Sequence, residues 1–353
     1  MSHPSKARGS RRIVIFAPPG AFSLDVLGSY EIFVAAARLL AVRRHPEVSD
    51  FRGLESIDRH ELPYEVQIAA ERIGSIETLS GARLCADIAL AKVRGPIDTL
   101  VVAGGDISRI SEAFARDPTL RAALRRVARR ARRVASVCTG SFALAAAGLL
   151  EGRAATTHWA ACDLLQAQYP RVRVTRGPIS VQDGNVYTSA GATTGMDLTL
   201  GFIREDHGSE IAREIARWLV LYVERPPGQE QLSVPLRGRG SERKPLRDLQ
   251  LWIADHLQSD LSVEVLAEHV GMSIRNFART FKRELSTTPA TFVEGIRVEA
   301  ALRKLELGTE SLATIAAEVG FGSVDTMRRA FVRHTGQLPS DRRTRPPARA
   351  TTP

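Results

Sequence analysis

Residues 134–150 read VASVCTGSFALAAAGLL, a β-branched run that gives way at Cys138 to an alanine- and leucine-rich one. The first part has the composition of a strand and the second that of a helix, so the stretch predicts a strand, a tight turn at Cys138 and a helix. A strand that feeds directly into a helix is the unit of a parallel sheet, because parallel neighbours need a crossover connection. Similar units stand on either side. RIVIFA (12–17), YEVQIAA (64–70), DTLVVAGG (98–105) and RRVASV (132–137) read as strands; residues 24–42, TGSFALAAAGLL and about 194–206 read as helices. RAATTHW, VRVTRG and NVYTSAG extend the same domain. Unbroken apolar strands separated by helices imply an α/β fold, a parallel sheet covered on both faces. Residues 43–60 break the pattern and read as a surface insertion.

At 353 residues with 44% hydrophobic content, the chain is long enough for two cores. Cys85, Cys138 and Cys162 are an odd, widely spaced set that suits reduced thiols better than a disulfide framework. The N-terminal MSHPSKARGSRR runs straight into IVIFA, too short for a signal sequence, and no apolar stretch reaches membrane-spanning length. A cytoplasmic protein with no membrane contact, no cofactor and no metal is expected. The net charge of +10 invites a nucleic-acid partner, but bulk charge does not locate one. Residues 241–353 carry 17 basic against 14 acidic residues, and residues 1–240 carry 32 against 25. The densest basic run, RAALRRVARRARR at 121–133, places Leu124, Val127, Ala128 and Ala131 on one helical face and turns its arginines outward. It reads either as a solvated surface helix or as a face that meets phosphates.

From 225 to 245 the chain becomes RPPGQEQLSVPLRGRGSERKP, without periodicity, and reads as a flexible linker. The resulting plan is an α/β domain over 11–224, a linker over 225–245, an all-α domain over 246–343 and a disordered tail over 344–353. The helical part repeats itself. Leu266, Ala267, Val270 and Gly271 recur as Ile315, Ala316, Val319 and Gly320. Ser273, Phe277, Arg279, Phe281 and Pro289 recur as Ser323, Met327, Arg329, Phe331 and Pro339, with Gly322 as one extra residue. Each unit is a short helix, a glycine turn, a serine placed to cap the next helix, and a second helix with an apolar stripe. That is a double helix-turn-helix, whose second helices enter successive major grooves of double-stranded DNA about 34 Å apart. In the first recognition helix Phe277, Phe281 and Leu285 face inward, leaving Arg275, Ala278, Arg279 and Lys282 outward. In the second, Met327 and Phe331 face inward and Val324, Asp325, Arg328 and Arg329 outward. Arginine reads guanine bidentately and Asp325 can accept from cytosine. Thr288 and Pro289 begin a long helix that separates and orients the two units.

This region, including SLATIAAEVGFGSVDTMRRAFVRHTGQLPSDRR, resembles the AraC/XylS family over about 249–343. The resemblance implies base contacts from Arg275, Ala278 and Arg279 in one helix and from Val324, Asp325, Thr326 and Arg329 in the other. The aromatic residue usual shortly after Pro339 is replaced by Arg342 and Arg343.

Cys138 stands where strand meets helix, in the geometry of a nucleophile elbow, and the helix N-terminus favours its thiolate. Gly104 and Gly105 close a parallel strand, where backbone amides can approach an oxyanion. Asp25 follows the first strand and so falls at the carboxyl edge of the sheet, where ligands bind. FAPPGAFSLDVLGSYEIF, DTLVVAGGD, SVCTGSFALAAAGLLEGRAATTHW and YTSAGATTGMDLTLGFI together resemble the PfpI-like, or class I glutamine-amidotransferase-like, superfamily over about 12–222. Joined to the double helix-turn-helix, they resemble the GlxA-type subgroup of AraC regulators. The resemblance implies a flavodoxin-like parallel-sheet sandwich, with Cys138 as elbow cysteine, Asp25 as the carboxyl that bonds the thiol, and Gly104–Gly105 as the glycine pair. Proteolytic members place histidine after the cysteine; here Thr139 stands there, as in isocyanide hydratases. His158 is either a neighbour of the site or a structural residue. Cys138 itself has three readings: ligand-pocket residue, buried structural residue, or working nucleophile, for which only Asp25 is offered as a base. As an elbow thiol it is expected to be alkylated faster than Cys85 or Cys162.

The sequence therefore reads as a transcriptional regulator rather than an enzyme, controlled by a small effector in its first domain and acting as a homodimer. For the effector the resemblance suggests an amine, amino-acid-like or quaternary ammonium compound. The enzyme alternative is a cysteine-dependent hydratase or amidase acting on a small nitrogen compound. A DNA-bending protein would need no shaped pocket, and the elbow and glycine pair argue against it.

Overall fold

Unbroken apolar strands form the centre of a seven-stranded sheet in the computed structural model, which describes residues 10–44, 62–221, 225, 228–231, 244–307, 310–335 and 338–342. The chain divides into two units, Met1–Gln231 and Leu232–Pro353. In the first, β1 (Arg11–Phe16) leads to α1 (Ser23–Arg44), β2 (Tyr64–Ala70), the antiparallel pair β3 (Gly74–Glu77) and β4 (Arg83–Ala86), and β5 (Ile88–Ala89). Then come β6 (Ile97–Val102), α2 (Ile107–Arg116), α3 (Pro118–Ala128), β7 (Ala131–Val137) and α4 (Gly140–Ala146). β8 (Ala154–Ala155), α5 (Cys162–Gln168), β9 (Arg173–Val174), β10 (Ser180–Asp183), β11 (Val186–Ser189), α6 (Ala192–His207) and α7 (Ser209–Trp218) complete it. The sheet order is β10-β11-β7-β6-β1-β2-β5, parallel except for the β10–β11 pair.

Alternation along the central strands divides the core in two. Val14, Phe16, Leu100, Val102 and Val134 pack with α2, α3 and α4 residues, while Ile13, Ile15, Val101, Ala135 and Val137 pack with Ile32, Phe33, Leu200 and Phe202. Strands apolar on both faces are what the continuous β-branched runs anticipate. β1 has β2 on one side and β6 on the other, so the connections leaving β1 and β6 diverge and open a crevice at the carboxyl edge.

The structure corrects several local expectations. The basic run is not one helix: α3 stops at Ala128, and Ala131 opens β7. Arg133 is therefore turned inward by strand alternation, not outward. It is 2% exposed, donates to Asp206 at 2.6 Å and Glu205 at 3.0 Å, and lies 4.3 Å over the Phe202 ring. The helix after Cys138 ends at Ala146, two residues before Gly148 adopts a left-handed φ of 72°. VRVTRG supplies only the short β9, paired with β8 outside the main sheet. The expected insertion begins as the last turn of α1, and its residues 45–60 lie outside the described residues. Part of the expected linker is held on the first unit. Arg225 Nε donates to Asp197 at 2.9 Å, the Ile179 amide donates to the Gln229 carbonyl at 2.7 Å, and the Gln231 amide to Gly177 at 2.7 Å. Residues 226–227 and 232–243 of it, and the expected tail, 344–353, lie outside the described residues, while its last two residues, Lys244 and Pro245, already belong to a helix. Among the described residues no helix is long and apolar enough to cross a membrane.

The second unit contains α8 (Lys244–Asp255), α9 (Val263–His269), α10 (Ile274–Leu285), α11 (Pro289–Leu307), α12 (Leu312–Glu318) and α13 (Val324–Thr335). It has two small cores, one per repeat. Leu266, Phe277, Phe281 and Leu285 pack with Phe292 and Ile296 from the first half of α11; Ile315, Met327 and Phe331 pack with Val298 and Leu302 from its second half. The long helix is thus shared, which fixes the two readers relative to each other. The turns repeat bond for bond. Gly271 and Met272 amides return to Glu268 and Ala267 carbonyls, and Gly320 and Phe321 amides to Ala317 and Ala316. Both glycines have positive φ, 64° and 83°, the left-handed cap that suits glycine. The capping serines differ: Ser323 Oγ accepts from the Thr326 amide at 3.1 Å, whereas Ser273 makes no side-chain cap, contrary to the expectation from the repeat. Pro339 opens a 3-10 turn to Arg342 rather than a second long helix.

Candidate functional site

The elbow is assembled from the ends of β1, β6, β7 and β11. Cys138 has a left-handed φ of 53°, unusual for a residue with a side chain, and is 7% exposed. Its conformation is fastened from several directions. The Cys138 amide donates to the Ser189 carbonyl at 2.9 Å, and the Thr157 hydroxyl donates to the Cys138 carbonyl at 3.0 Å. Behind it, a Cβ on Gly140 would sit 2.3 Å from the Val102 carbonyl, so only glycine lets α4 start this close to β6.

Asp25, in the first turn of α1, is 3% exposed and accepts from the Gly104 amide at 3.0 Å. A Cβ on Gly104 would meet Asp25 Oδ2 at 2.5 Å and Cys138 Cβ at 2.8 Å; the carboxyl, the glycine and the cysteine share one small space. A Cβ on Gly105 would strike the Gly20 carbonyl at 2.5 Å, which lies flat on it. The Gly105 amide donates to Thr139 Oγ1 at 2.8 Å, and that hydroxyl donates back to the Gly105 carbonyl at 2.7 Å. The glycine pair therefore does not offer an oxyanion hole as expected: one amide is held by Asp25 and the other by Thr139. Its role is close packing.

The electrostatics reverse a second expectation. Burial, and then the neighbouring Asp25, push the Cys138 thiol up to about 12, outweighing the Thr139 backbone bond that favours the thiolate. Burial also raises Asp25 to about 6, against the smaller opposing effect of the Gly104 bond. At neutral pH the thiol is protonated. Cys85 is the exposed cysteine, while Cys138 and Cys162 are buried, so the expected labelling order is inverted.

His158 is half-buried and caps the 3-10 turn Trp159–Ala161, its Nδ1 accepting from the Ala160 amide at 3.4 Å. Burial lowers its pKa. None of its hydrogen bonds reaches Cys138 or Asp25; its neighbour Thr157 makes the contact with the elbow. Beside Thr157 stands Gln231. Its Nε2 lies within hydrogen-bond distance of Thr157 O at 3.0 Å, Thr156 Oγ1 at 3.1 Å and Pro178 O at 3.3 Å. The sequence reading missed both residues. Thr157 sits in the TTHW segment already singled out, whereas nothing in the polar text around Gln231 distinguishes it. A separate cavity of about 180 Å³ lies between β10–β11 and α6, lined in part by Tyr187, Asp197, Phe202 and Arg225.

On the second unit, Arg275, Arg279 and Lys282 are exposed along α10, with Ala278 half-exposed beside them. Arg279 is steadied by Asn276 Oδ1 at 3.2 Å. On α13, Asp325, Arg328 and Arg329 are exposed, and Asp325 pairs with Arg328 at 3.2 Å. Two expected outward residues are less free. Val324 packs on the second core, and Thr326 lies 3.0 Å from Ser323 through its hydroxyl because both belong to the cap.

The model of the DJ-1/PfpI family matches residues 21–205, and that of a helix-turn-helix domain matches residues 266–345. The chain is similar to the HTH-type transcriptional regulator GbdR of Pseudomonas aeruginosa, 30% identical over 253 residues, 70% of this chain and 66% of that one. It is also similar to the HTH-type transcriptional regulator CdhR of the same organism, 32% identical over 278 residues, 78% of this chain and 81% of that one. A shorter match joins it to an isonitrile hydratase of Pseudomonas putida, 42% identical over 109 residues, 30% of this chain and 44% of that one.

Proposed function

The chain belongs to the DJ-1/PfpI family and joins that fold to an AraC-type helix-turn-helix domain, as GlxA-type regulators do; on that premise we propose that it is a DNA-binding transcriptional regulator controlled by a small effector. The observation that carries the reading is the state of the elbow. A protonated, buried thiol beside two glycine amides that already have acceptors can shape a pocket, yet it lacks the thiolate and free donors that acyl or hydration chemistry requires. Cys138, Thr139, Asp25, Gly104, Gly105 and His158 are then surroundings of a ligand, and Arg275, Ala278, Arg279, Lys282, Val324, Asp325, Thr326, Arg328 and Arg329 the reading surface. In this scheme the sensor spans 11–224, the reader 246–343, and the segment 225–245 connects them in a cytoplasmic homodimer that places two readers on one DNA.

Two hydrogen bonds offer a path between the parts. Thr157 joins the elbow carbonyl to Gln231, the last residue of the first unit. An effector that moves the elbow thereby changes how the departing chain is held, and the DNA affinity shifts by its differential affinity for the two states. The test is a thermal-shift screen of the full chain with amines, amino acids and quaternary ammonium compounds, followed by DNA titration at fixed salt with each hit. A compound that raises the melting temperature and changes DNA affinity supports the reading. Multiple turnovers of a hit, abolished by Cys138→Ala, would establish the hydratase or amidase alternative instead. Sedimentation of the full chain tests the dimer.

A further inference from the structure

Arg121, Arg125 and Arg126 on α3, with Arg129 and Arg130 in the turn that follows it, line a groove of about 660 Å³. Arg121 and Arg125 are like charges at i,i+4 on α3, a spacing that destabilises a helix, and Arg125–Arg129 and Arg126–Arg130 continue it into the turn. Arginines nearby in the chain are neutralised: Arg116 pairs with Glu112, and Arg132 with Asp98. Among the described residues none of the five meets a carboxylate. Two are held instead by carbonyls, Arg125 by Ala147 and Arg126 by Ala91, which fixes their guanidiniums without cancelling charge. Arg94 and Arg130 stand close enough to Arg126 to disfavour its charge further, in addition to its burial. A uniform, uncompensated row of planar cations suits a row of phosphates.

We propose that this groove binds the phosphate backbone of duplex DNA outside the bases read by α10 and α13, so that the first unit contributes sequence-independent affinity. The proposal rests on the reading of the chain as a DNA-binding regulator. α3 has 11 residues and is therefore about 16 Å long, enough to face several phosphates of one strand, which carries a charge every 3.4 Å or so. Duplex DNA is favoured over a small polyphosphate because the arginines follow one another from α3 into the turn after it, a succession of cations that suits a polymer of phosphates.

The experiment compares the full chain with Arg121→Gln/Arg129→Gln/Arg130→Gln, whose side chains make no hydrogen bond among the described residues. A control, Arg38→Gln/Arg72→Gln/Arg83→Gln, removes the same charge from exposed positions elsewhere. The probes are a long duplex carrying the site that the full chain selects from random sequence, the same duplex trimmed to that site, and inorganic triphosphate. Each phosphate contact contributes about 0.9 to the slope of log affinity against log salt. If each arginine meets one phosphate, the slope on the long duplex falls by about 2.7, and between about 50 and 200 mM salt the wild type loses about 40-fold more affinity than the variant. The expected result is that loss of slope on the long duplex alone, with the control and the preference for the selected site unchanged. An unchanged slope overturns the proposal, as does an equal fall in the control. So does triphosphate that stabilises the wild type but not the variant while the DNA slopes match, which would make the groove a small-anion site. Failure of the wild type to select any site would instead overturn the regulator reading.

Discussion

Replacing Asp25 by Asn tests the electrostatics of the elbow directly. Asp25 rises from 3.8 to about 6 on folding because burial disfavours its charge, only partly offset by the Gly104 amide. A raised carboxyl pKa means that the folded state holds the proton more tightly than the unfolded chain between those two values. Stability is therefore highest below the unfolded value and falls as pH rises through about 6. The shift of about 2.2 corresponds to about 3 kcal/mol at 1.36 kcal/mol per unit. Asn has the same shape, keeps an acceptor for the Gly104 amide and does not titrate. Urea unfolding of both full chains, measured from about pH 4 to pH 8, removes every other titration from the difference. Because the unfolded carboxyl is already more than half ionised at pH 4, Asp25→Asn is expected to gain about 2.4 kcal/mol of this on the wild type across that range, whatever its constant offset. A difference that stays flat would mean that Asp25 is solvated and that the elbow is not the dry, shared space described above. The same substitution removes the second cause of the raised thiol, so Cys138 is expected to alkylate faster in the variant at alkaline pH.

Limited alkylation of the native wild type at neutral pH, read by mass spectrometry, is expected to modify Cys85 before Cys138 or Cys162; modification of Cys138 first would restore the nucleophile. Arg279→Ala and Arg329→Ala are each expected to cost about 1–3 kcal/mol on the selected DNA site and to relax base preference locally. Equal losses on selected and random DNA would reduce them to phosphate contacts. Gln231→Ala removes an amide whose two protons can satisfy two of its three acceptors at once, at about 0.5–1.5 kcal/mol each. An effector found in the screen is then expected to raise the melting temperature as before but to change DNA affinity less, and an undiminished effect would place the coupling elsewhere.

What the sequence made legible follows from how each feature is encoded. Strands buried on both faces must be apolar throughout, so the sheet is visible in RIVIF and in TLVV. The double helix-turn-helix is visible because glycine, apolar and basic positions recur in phase. The elbow could be located, but its chemistry could not be derived. Whether Gly104 and Gly105 have free amides depends on Asp25 and Thr139, residues 79 and 34 positions away. The sign of the thiol's shift depends on burial, which a helix-dipole argument ignores. Arg133 looks like the end of a basic helix until the strand that contains it pairs with β6 and points it at Asp206. Gln231 lies in text rich in proline, glycine and charge; its order comes entirely from the partners at 156–157 and 177–179.

The strained backbone at Cys138 has a use under the proposed function that is independent of catalysis. A left-handed conformation costs a residue with a side chain of order 1 kcal/mol, and a structural residue would be expected to relax or to be glycine. Here the strain is opposed by bonds from two separate segments, Ser189 on β11 and Thr157 beyond β8, and each bond uses a backbone group of Cys138 itself. The elbow is consequently a junction: displacement of its backbone must pull on both segments. One of them carries Gln231. A residue with a relaxed backbone would register a bound molecule only through its side chain, whereas a strained one held by distant partners would convert a small displacement into a change of hydrogen bonding at Gln231, where the first unit ends. In a regulator, that conversion is a use for the nucleophile geometry that requires no nucleophile.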